Sequence, residues 1–92
     1  MIRRRLTITG KVQNVWYRAW FAERAAGLGL DGWVRNRADG SVEAVVQGPS
    51  ETIDAMVRLA WEGSPASRVS DVVVSDDAPA EVLSGFETRA TF

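Results

Sequence analysis

The residues with the clearest chemical potential lie in the segment Gly10–Arg18, which reads GKVQNVWYR. It joins a predicted strand to a predicted helix, and the first backbone N–H groups of a helix have no partner within it. Together with the helix dipole these groups favour a phosphate, to which the guanidinium of Arg18 adds a planar fork of donors. A solvated arginine in an ordinary first turn is the alternative, although a cation there opposes the helix dipole. The spacing alone does not decide between them.

Composition removes several other chemistries. The 92 residues include no cysteine and no histidine. The sequence therefore offers no disulfide, thiolate nucleophile, zinc–thiolate site or histidine base. It also lacks the residue spacing of a calcium loop, and we expect neither a metal nor another cofactor. Residues 1–37 hold eight Lys or Arg against two acids, whereas residues 38–92 hold three against ten. This imbalance fits an anionic ligand in the first half, and it also fits chance.

Hydrophobic periodicity predicts the elements that must position this loop. Alternating polar and apolar residues indicate strands, and apolar residues repeating every three or four positions indicate helices with one buried stripe. In chain order we predict a strand at Arg3–Thr9, a helix at Tyr17–Leu28, strands at Trp33–Arg37 and Ser41–Gln47 around a turn at 38–40, a helix from Ser50 to Gly63, a strand at Val69–Ser75, an acidic, solvated loop at Asp76–Ser84 and a last strand at Phe86–Phe92.

This order predicts one α+β domain spanning residues 1–92. The succession βαββαβ with right-handed crossovers is typical of the ferredoxin-like two-layer sandwich, in which two helices cover one face of an antiparallel sheet. The last strand is a short C-terminal addition. We expect Ser50 to cap the second helix and Trp20 and Trp61 to be core residues, whereas Trp16 could wall one side of a site. The fold by itself leaves the function open.

Two separate motifs resemble the signatures of the acylphosphatase family. Gly10–Arg18 is similar to the pattern Gly-x-Val-Gln-Gly-Val-x-Phe-Arg. The second motif is GWVRN at 32–36, followed after three residues by GSV at 40–42 and after five more by Gly48. GFE at 85–87 resembles the closing strand of the family. The motifs stand in the right order on a chain of the usual length, so the resemblance covers essentially the whole sequence.

The resemblance implies a small, free-standing enzyme that hydrolyses acyl phosphates to a carboxylate and inorganic phosphate, with no metal and no phosphoenzyme. It implies that Arg18 binds the substrate phosphate and stabilises the transition state, and that Asn36 positions the attacking water. It further implies a phosphate cradle of backbone amides from five residues, Gln13, Asn14, Val15, Trp16 and Tyr17.

The side chains present are compatible with that reaction. The leaving carboxylate has a conjugate acid with a pKa of about 4, so it needs no general acid. The amide of Asn36 cannot act as a base, but it can orient a water by hydrogen bonding. Without the surrounding motif, Asn36 would be read as a polar residue near a hairpin end. In the hydrolysis reaction, the attacking water would pass its proton to the substrate phosphate or to solvent.

Two loop positions depart from the family pattern. Asn14 stands where the family usually has glycine, and Tyr17 replaces the usual phenylalanine. If position 14 requires a positive φ, asparagine is the least costly substitute. Its side chain could also reach the phosphate or narrow the cradle, so we expect Asn14 to bear on rate and affinity more than on the reaction class.

Two other functions are possible on the same fold. One is a nucleic-acid-binding module, and the other is a non-catalytic acyl-phosphate-binding domain like the one at the start of the hydrogenase-maturation carbamoyltransferases. The arginines at 3–5 favour the first slightly, but the first and third strands carry no aromatic residue on which bases could stack. The end of the chain at Phe92 favours an enzyme over the second. We expect a cytoplasmic monomer with a small-molecule acyl phosphate as its partner, and neither nucleic acid nor membrane.

Overall fold

A computed structural model describes residues 1–91 and contains seven elements in the predicted order. They are β1 (Ile2–Lys11), α1 (Tyr17–Gly27), β2 (Asp31–Asn36), β3 (Val42–Gly48), α2 (Ser50–Glu62), β4 (Arg68–Ser75) and β5 (Phe86–Arg89). The last strand is shorter than predicted, and Phe92 lies outside the described residues. No helix of residues 1–91 is long and apolar enough to span a bilayer.

The five strands form one sheet in the order β4-β1-β3-β2-β5. The pairings of β1 with β3, β1 with β4 and β2 with β3 are antiparallel, which confirms the ferredoxin-like α+β sandwich. The extra strand β5 pairs parallel to β2, with Phe86 opposite Gly32. This strand closes the sheet edge beside β2 and brings its C-terminal end next to the end of β2.

The core lies between one face of the sheet and the two helices. Leu6 and Ile8 of β1 are fully buried, because alternate residues of a strand share one face. Phe21 from α1 and Met56 from α2 cover them, and all four belong to one buried cluster. Burying each large apolar side chain contributes roughly 1.5–3 kcal/mol relative to leaving it in water. This packing fixes both helices against the sheet.

Two motif glycines are required by close approaches between strands. Gly10 has a φ of +119°, and a Cβ there would lie 2.2 Å from the carbonyl oxygen of Arg68. Gly32 has a φ of +144°, and its Cβ would lie 1.8 Å from the carbonyl oxygen of Val45. Only glycine avoids both the clash and the backbone strain. These two glycines therefore serve the sheet that carries the loop.

The prediction that Ser50 caps α2 is wrong. Pro49 occupies the N-cap position with an extended backbone, and its carbonyl oxygen accepts from the amides of Thr52 and Ile53 at 3.1 Å each. Ser50 is the first helical residue, and its hydroxyl donates to the carboxylate of Glu51 instead. Proline suits this position because its fixed φ matches the entry to the helix.

The prediction that Trp61 is a core residue is also wrong, since 47% of its surface is exposed. The buried stripe of α2 consists of Ile53, Met56 and Ala60. Trp61 follows Ala60 directly and therefore points about 100° away from that stripe. Leu28, predicted as the last residue of the first helix, lies just beyond it and is exposed. Trp20 is partly buried and packs against the core as expected.

Candidate active site

A cleft of about 430 Å³ opens where the loop before α1 meets the ends of β2 and β5. It brings together Arg18 and Asn36, which stand 18 positions apart in the sequence. Of the five predicted cradle residues, Asn14, Trp16 and Tyr17 line it, whereas Gln13 and Val15 do not. The full lining is Val12, Asn14, Trp16, Tyr17, Arg18, Ala19, Asn36 and Thr88.

The loop has an unusual backbone at two alternate positions. Asn14 has a φ of 61° and Trp16 a φ of 62°, so two non-glycine residues adopt the left-handed conformation on either side of Val15. Such alternation turns successive N–H groups toward one side and forms a concave anion-binding nest. Within residues 1–91, the backbone N–H groups of positions 13–17 donate no hydrogen bond to another protein group. They are therefore available to a ligand.

Side-chain hydrogen bonds fix the loop at Gln13 and Val15, the residues on either side of Asn14. The amide of Gln13 donates to the carbonyl oxygens of Arg37 at 2.7 Å and Ser41 at 2.9 Å, which ties the loop to the β2–β3 turn. The buried hydroxyl of Ser64 donates to the carbonyl oxygen of Val15 at 3.1 Å. Left-handed conformations cost about 1–3 kcal/mol each and persist only where surrounding contacts determine them, as these do.

The hydroxyl of Tyr17 anchors the start of α1. It donates to the carbonyl oxygen of Ala60 at 2.8 Å, in the last turn of α2, where carbonyl groups lack helical partners. Burial raises the pKa of Tyr17, so the hydroxyl stays protonated and remains a donor. The hydroxyl group that distinguishes Tyr17 from phenylalanine therefore joins the two helices, and it makes this contact away from the cradle.

Arg18 is the second residue of α1 and reaches across the cleft to β5. Its Nη1 donates to the carbonyl oxygen of Arg89 at 3.0 Å, and this is its one hydrogen bond within residues 1–91. No carboxylate of the described residues lies within 4.0 Å of its guanidinium, in contrast to Arg5 and Arg35. The remaining guanidinium donors and the full positive charge of Arg18 are thus available at the cleft.

Asn36 is the last residue of β2, and the pairing of that strand with β3 fixes its position opposite Val42. Its side chain borders the cleft, and its Oδ1 is buried without a hydrogen-bond partner among residues 1–91. An unpaired buried acceptor costs about 1–3 kcal/mol, and native proteins keep few of them. An unpaired buried acceptor beside a cleft is typical of a residue that binds a ligand.

A charged cluster on the outer face of the sheet holds β5 in place. The guanidinium of Arg89 donates twice to Glu81 at 3.1 Å, donates to Glu87 at 2.9 Å, and stacks over the ring of Trp33. The indole N–H of Trp33 also donates to Glu81 at 2.9 Å. Arg89 and then Trp33 hold the pKa of Glu81 below its usual range, and Glu81 in turn raises the pKa of Arg89.

This cluster was not foreseen from the sequence, where Glu81 was expected to belong to a solvated loop. Glu81 does lie in this partly exposed loop, but it also bonds both Trp33 and Arg89. The same strand places Thr88 in the cleft and the carbonyl group of Arg89 on Arg18. The sequence signal for this cluster is an acid, Glu81, eight residues before an arginine, Arg89, in the final strand. It does not specify pairing with Trp33, which is distant in sequence.

Comparisons with known proteins agree with the motifs and the site. The acylphosphatase family model matches residues 4–88. A curated acylphosphatase of Rhizorhabdus wittichii is 56% identical over 90 residues, covering 98% of this chain and 90% of that protein. The crystal structure of the Bacillus subtilis acylphosphatase matches with a TM-score of 0.91 and 34% identity, over 97% of this chain and 99% of that one. The structure of T. kodakarensis HypF matches with a TM-score of 0.85 and 26% identity, over 97% of this chain but 12% of that one. The chain belongs to the acylphosphatase family.

Proposed function

We propose that this protein hydrolyses acyl phosphates to a carboxylate and inorganic phosphate, using Arg18, Asn36 and the backbone of Gln13–Tyr17. Membership of the acylphosphatase family supports the reaction. The observation that carries the residue assignment is the meeting of an uncompensated Arg18 and an unpaired Asn36 acceptor in one cleft, beside a loop with free amides.

The loop amides and Arg18 hold the phosphate in this proposal. Phosphoryl transfer passes through a loose transition state whose charge is spread over three equatorial oxygens. Fixed donors aimed at those oxygens lower the barrier, because the protein does not reorganise during the reaction. The carbonyl oxygen of Arg89 occupies one guanidinium donor and orients the others. Arg18 and the loop supply the charge stabilisation that a metal would otherwise give, so we propose that no metal is required.

Asn36 orients the attacking water in the same scheme. The unpaired Oδ1 is an acceptor for a water hydrogen, and the fixed end of β2 sets its direction. Positioning of this kind removes much of the entropic barrier to attack. No protein base is involved, because an amide does not take a proton near neutral pH. The proton passes to the substrate phosphate or to solvent, and the carboxylate leaves without protonation.

Hydrolysis of benzoyl phosphate by chelator-treated protein tests this function. We expect turnover without metal, and a loss of roughly 10²-fold or more in kcat/KM for Arg18→Ala and for Asn36→Ala. Arg24→Ala is the matched control, since Arg24 lies on the same helix outside the cleft. An inactive wild type that still binds the substrate would favour a binding domain over an enzyme. Turnover abolished by chelator would contradict the metal-free mechanism.

We further propose that the protein acts as a cytoplasmic monomer without a nucleic-acid partner. Its isoelectric point near 5.3 supports the last point, since nucleic-acid-binding domains are usually basic. Light scattering coupled to gel filtration checks the monomer against a mass of 10.1 kDa. A mass twice that value would contradict it.

A further inference from the structure

Trp16 combines an exposed indole with a strained backbone. Hydrogen bonds of its neighbours hold the backbone, but the indole is not packed against the core. Its side chain is 83% exposed, whereas Trp33 of the same protein is 2% exposed. Its backbone lies in the left-handed region with a φ of 62°, where a bulky side chain is a clear outlier. Exposure forfeits the stabilisation that burial of a large aromatic side chain provides. Both the strained backbone and the exposed indole destabilise the free protein, which indicates that Trp16 contributes to ligand binding.

The backbone under this indole is held on both sides. Val15 is bonded through its carbonyl oxygen to Ser64, and Tyr17 is bonded through its hydroxyl to Ala60. The carbonyl oxygen of Trp16 itself accepts from the amide of Trp20 at 3.0 Å. The indole therefore stands at the cleft on a fixed base, and binding a ligand against it would order few additional groups.

The cleft is lined by residues from separate parts of the chain. Asn36 and Thr88 come from the neighbouring strands β2 and β5, whereas Trp16 comes from the loop that precedes α1. In phosphoryl transfer the attacking and leaving oxygens lie roughly in line on opposite sides of phosphorus. With the water on the Asn36 side, the acyl group leaves on the side away from Asn36, and Trp16 has the largest apolar side chain among the residues that line the cleft.

We propose that Trp16 is a specificity-determining residue whose indole stacks on the acyl group, and that aromatic acyl phosphates are the preferred substrate class. This inference rests on the proposed function. A planar ring offers offset-stacked contact with the indole, and such ring pairs contribute about 0.5–1.5 kcal/mol, which corresponds to a roughly 2- to 13-fold gain in affinity. An acetyl group is too small to cover the indole and gains little.

Binding of non-hydrolysable acylphosphonates tests the inference separately from turnover. Calorimetry with benzoylphosphonate, acetylphosphonate and inorganic phosphate would compare wild type with Trp16→Ala, Trp16→Asn and Trp16→Phe. The asparagine variant is included because asparagine tolerates the left-handed conformation, which separates loss of the ring from loss of the loop. Trp61→Ala is the matched control, an exposed tryptophan on α2 outside the cleft.

We expect the alanine and asparagine variants to lose about 3- to 10-fold of the wild-type preference for benzoylphosphonate over acetylphosphonate and phosphate. Trp16→Phe and Trp61→Ala should retain the preference for benzoylphosphonate. Equal weakening of all three ligands, or no preference in the wild type, would overturn the inference. If the preference holds while benzoyl phosphate is not hydrolysed, the proposed function fails and the binding site stands.

Discussion

Asn14 and Trp16 are the two residues of the loop that adopt the left-handed backbone conformation. Asparagine in place of glycine fits a position with positive φ, and the φ of Asn14 is 61°. Trp16 carries no such signal, because no intrinsic preference places tryptophan in the left-handed region. Its conformation follows from the hydrogen bonds of Gln13 and Val15 to other parts of the chain. Those contacts join segments distant in sequence and were therefore beyond prediction.

Substitutions at position 14 should report the cost of that backbone conformation. We expect Asn14→Ala to lower the free energy of unfolding by about 1 kcal/mol, because alanine meets the steric penalty of positive φ that asparagine partly avoids. Asn14→Gly should stay within about 0.5 kcal/mol of wild type, since glycine adopts this conformation freely at the cost of a more disordered unfolded chain. Urea denaturation followed by tryptophan fluorescence measures both. Equal stabilities of the alanine and glycine variants would show that the loop relaxes.

Among the elements, both helices and the four main strands were predicted because their apolar periodicity extends over many residues. The helix ends were less well predicted, as the Pro49 cap and the exposed Trp61 show. The short strand β5 was predicted near Phe86, but its parallel pairing to β2 was not. Four residues carry too little pattern to specify a neighbour, and β5 depends on tertiary contacts such as that between Arg89 and Glu81.

The attachment of β5 should weaken in acid. The pKa of Glu81 is held below its ordinary value of 4.5, chiefly by Arg89, so its ion pair adds stability above that pH and loses it as the pH falls through the lowered pKa. We expect Glu81→Gln to be less stable than wild type at pH 7, and the difference to shrink below pH 4.5. Chemical denaturation at a series of pH values measures this difference.

Glu23→Gln provides the control for that series, because Glu23 is exposed and has no ion pair within residues 1–91. Its stability relative to wild type should vary little over the same pH range. A difference between wild type and Glu81→Gln that stays constant from pH 7 to pH 3 would mean that the carboxylate charge is not what holds β5.

Across the whole molecule, part of the uneven charge of the sequence is paired inside the fold. Arg5 and Arg35 from the basic half both bond the carboxylate of Glu43, at 2.5 and 2.8 Å, and Arg5 also contacts Asp77. These pairs cover the sheet face opposite the helices. In contrast to them, Arg18 has no ion pair within residues 1–91. The imbalance noted in the sequence therefore reflects pairing across the sheet as well as the proposed anion site.

Glu43 is the central residue of this outer face, since it is 1% exposed and bonded to two arginines. We expect Glu43→Gln to lower the free energy of unfolding by about 2 kcal/mol, because it leaves two positive charges without their buried partner. The partial exposure of both arginines keeps this below the loss at fully buried pairs. Glu62→Gln, on an exposed position of α2, should change it by less than about 0.5 kcal/mol. A change at Glu43 no larger than at Glu62 would contradict this role.

The central claim is that Arg18 holds the phosphate whereas Asn36 positions the water. The most direct test measures kcat for benzoyl phosphate together with inhibition by inorganic phosphate in wild type, Arg18→Ala and Asn36→Ala. We predict that Asn36→Ala lowers kcat by roughly 10²-fold while its phosphate inhibition constant stays within twofold of wild type. Arg18→Ala should lower kcat and also weaken phosphate inhibition by at least tenfold. Unchanged phosphate inhibition in Arg18→Ala, or full kcat in Asn36→Ala, would contradict the account.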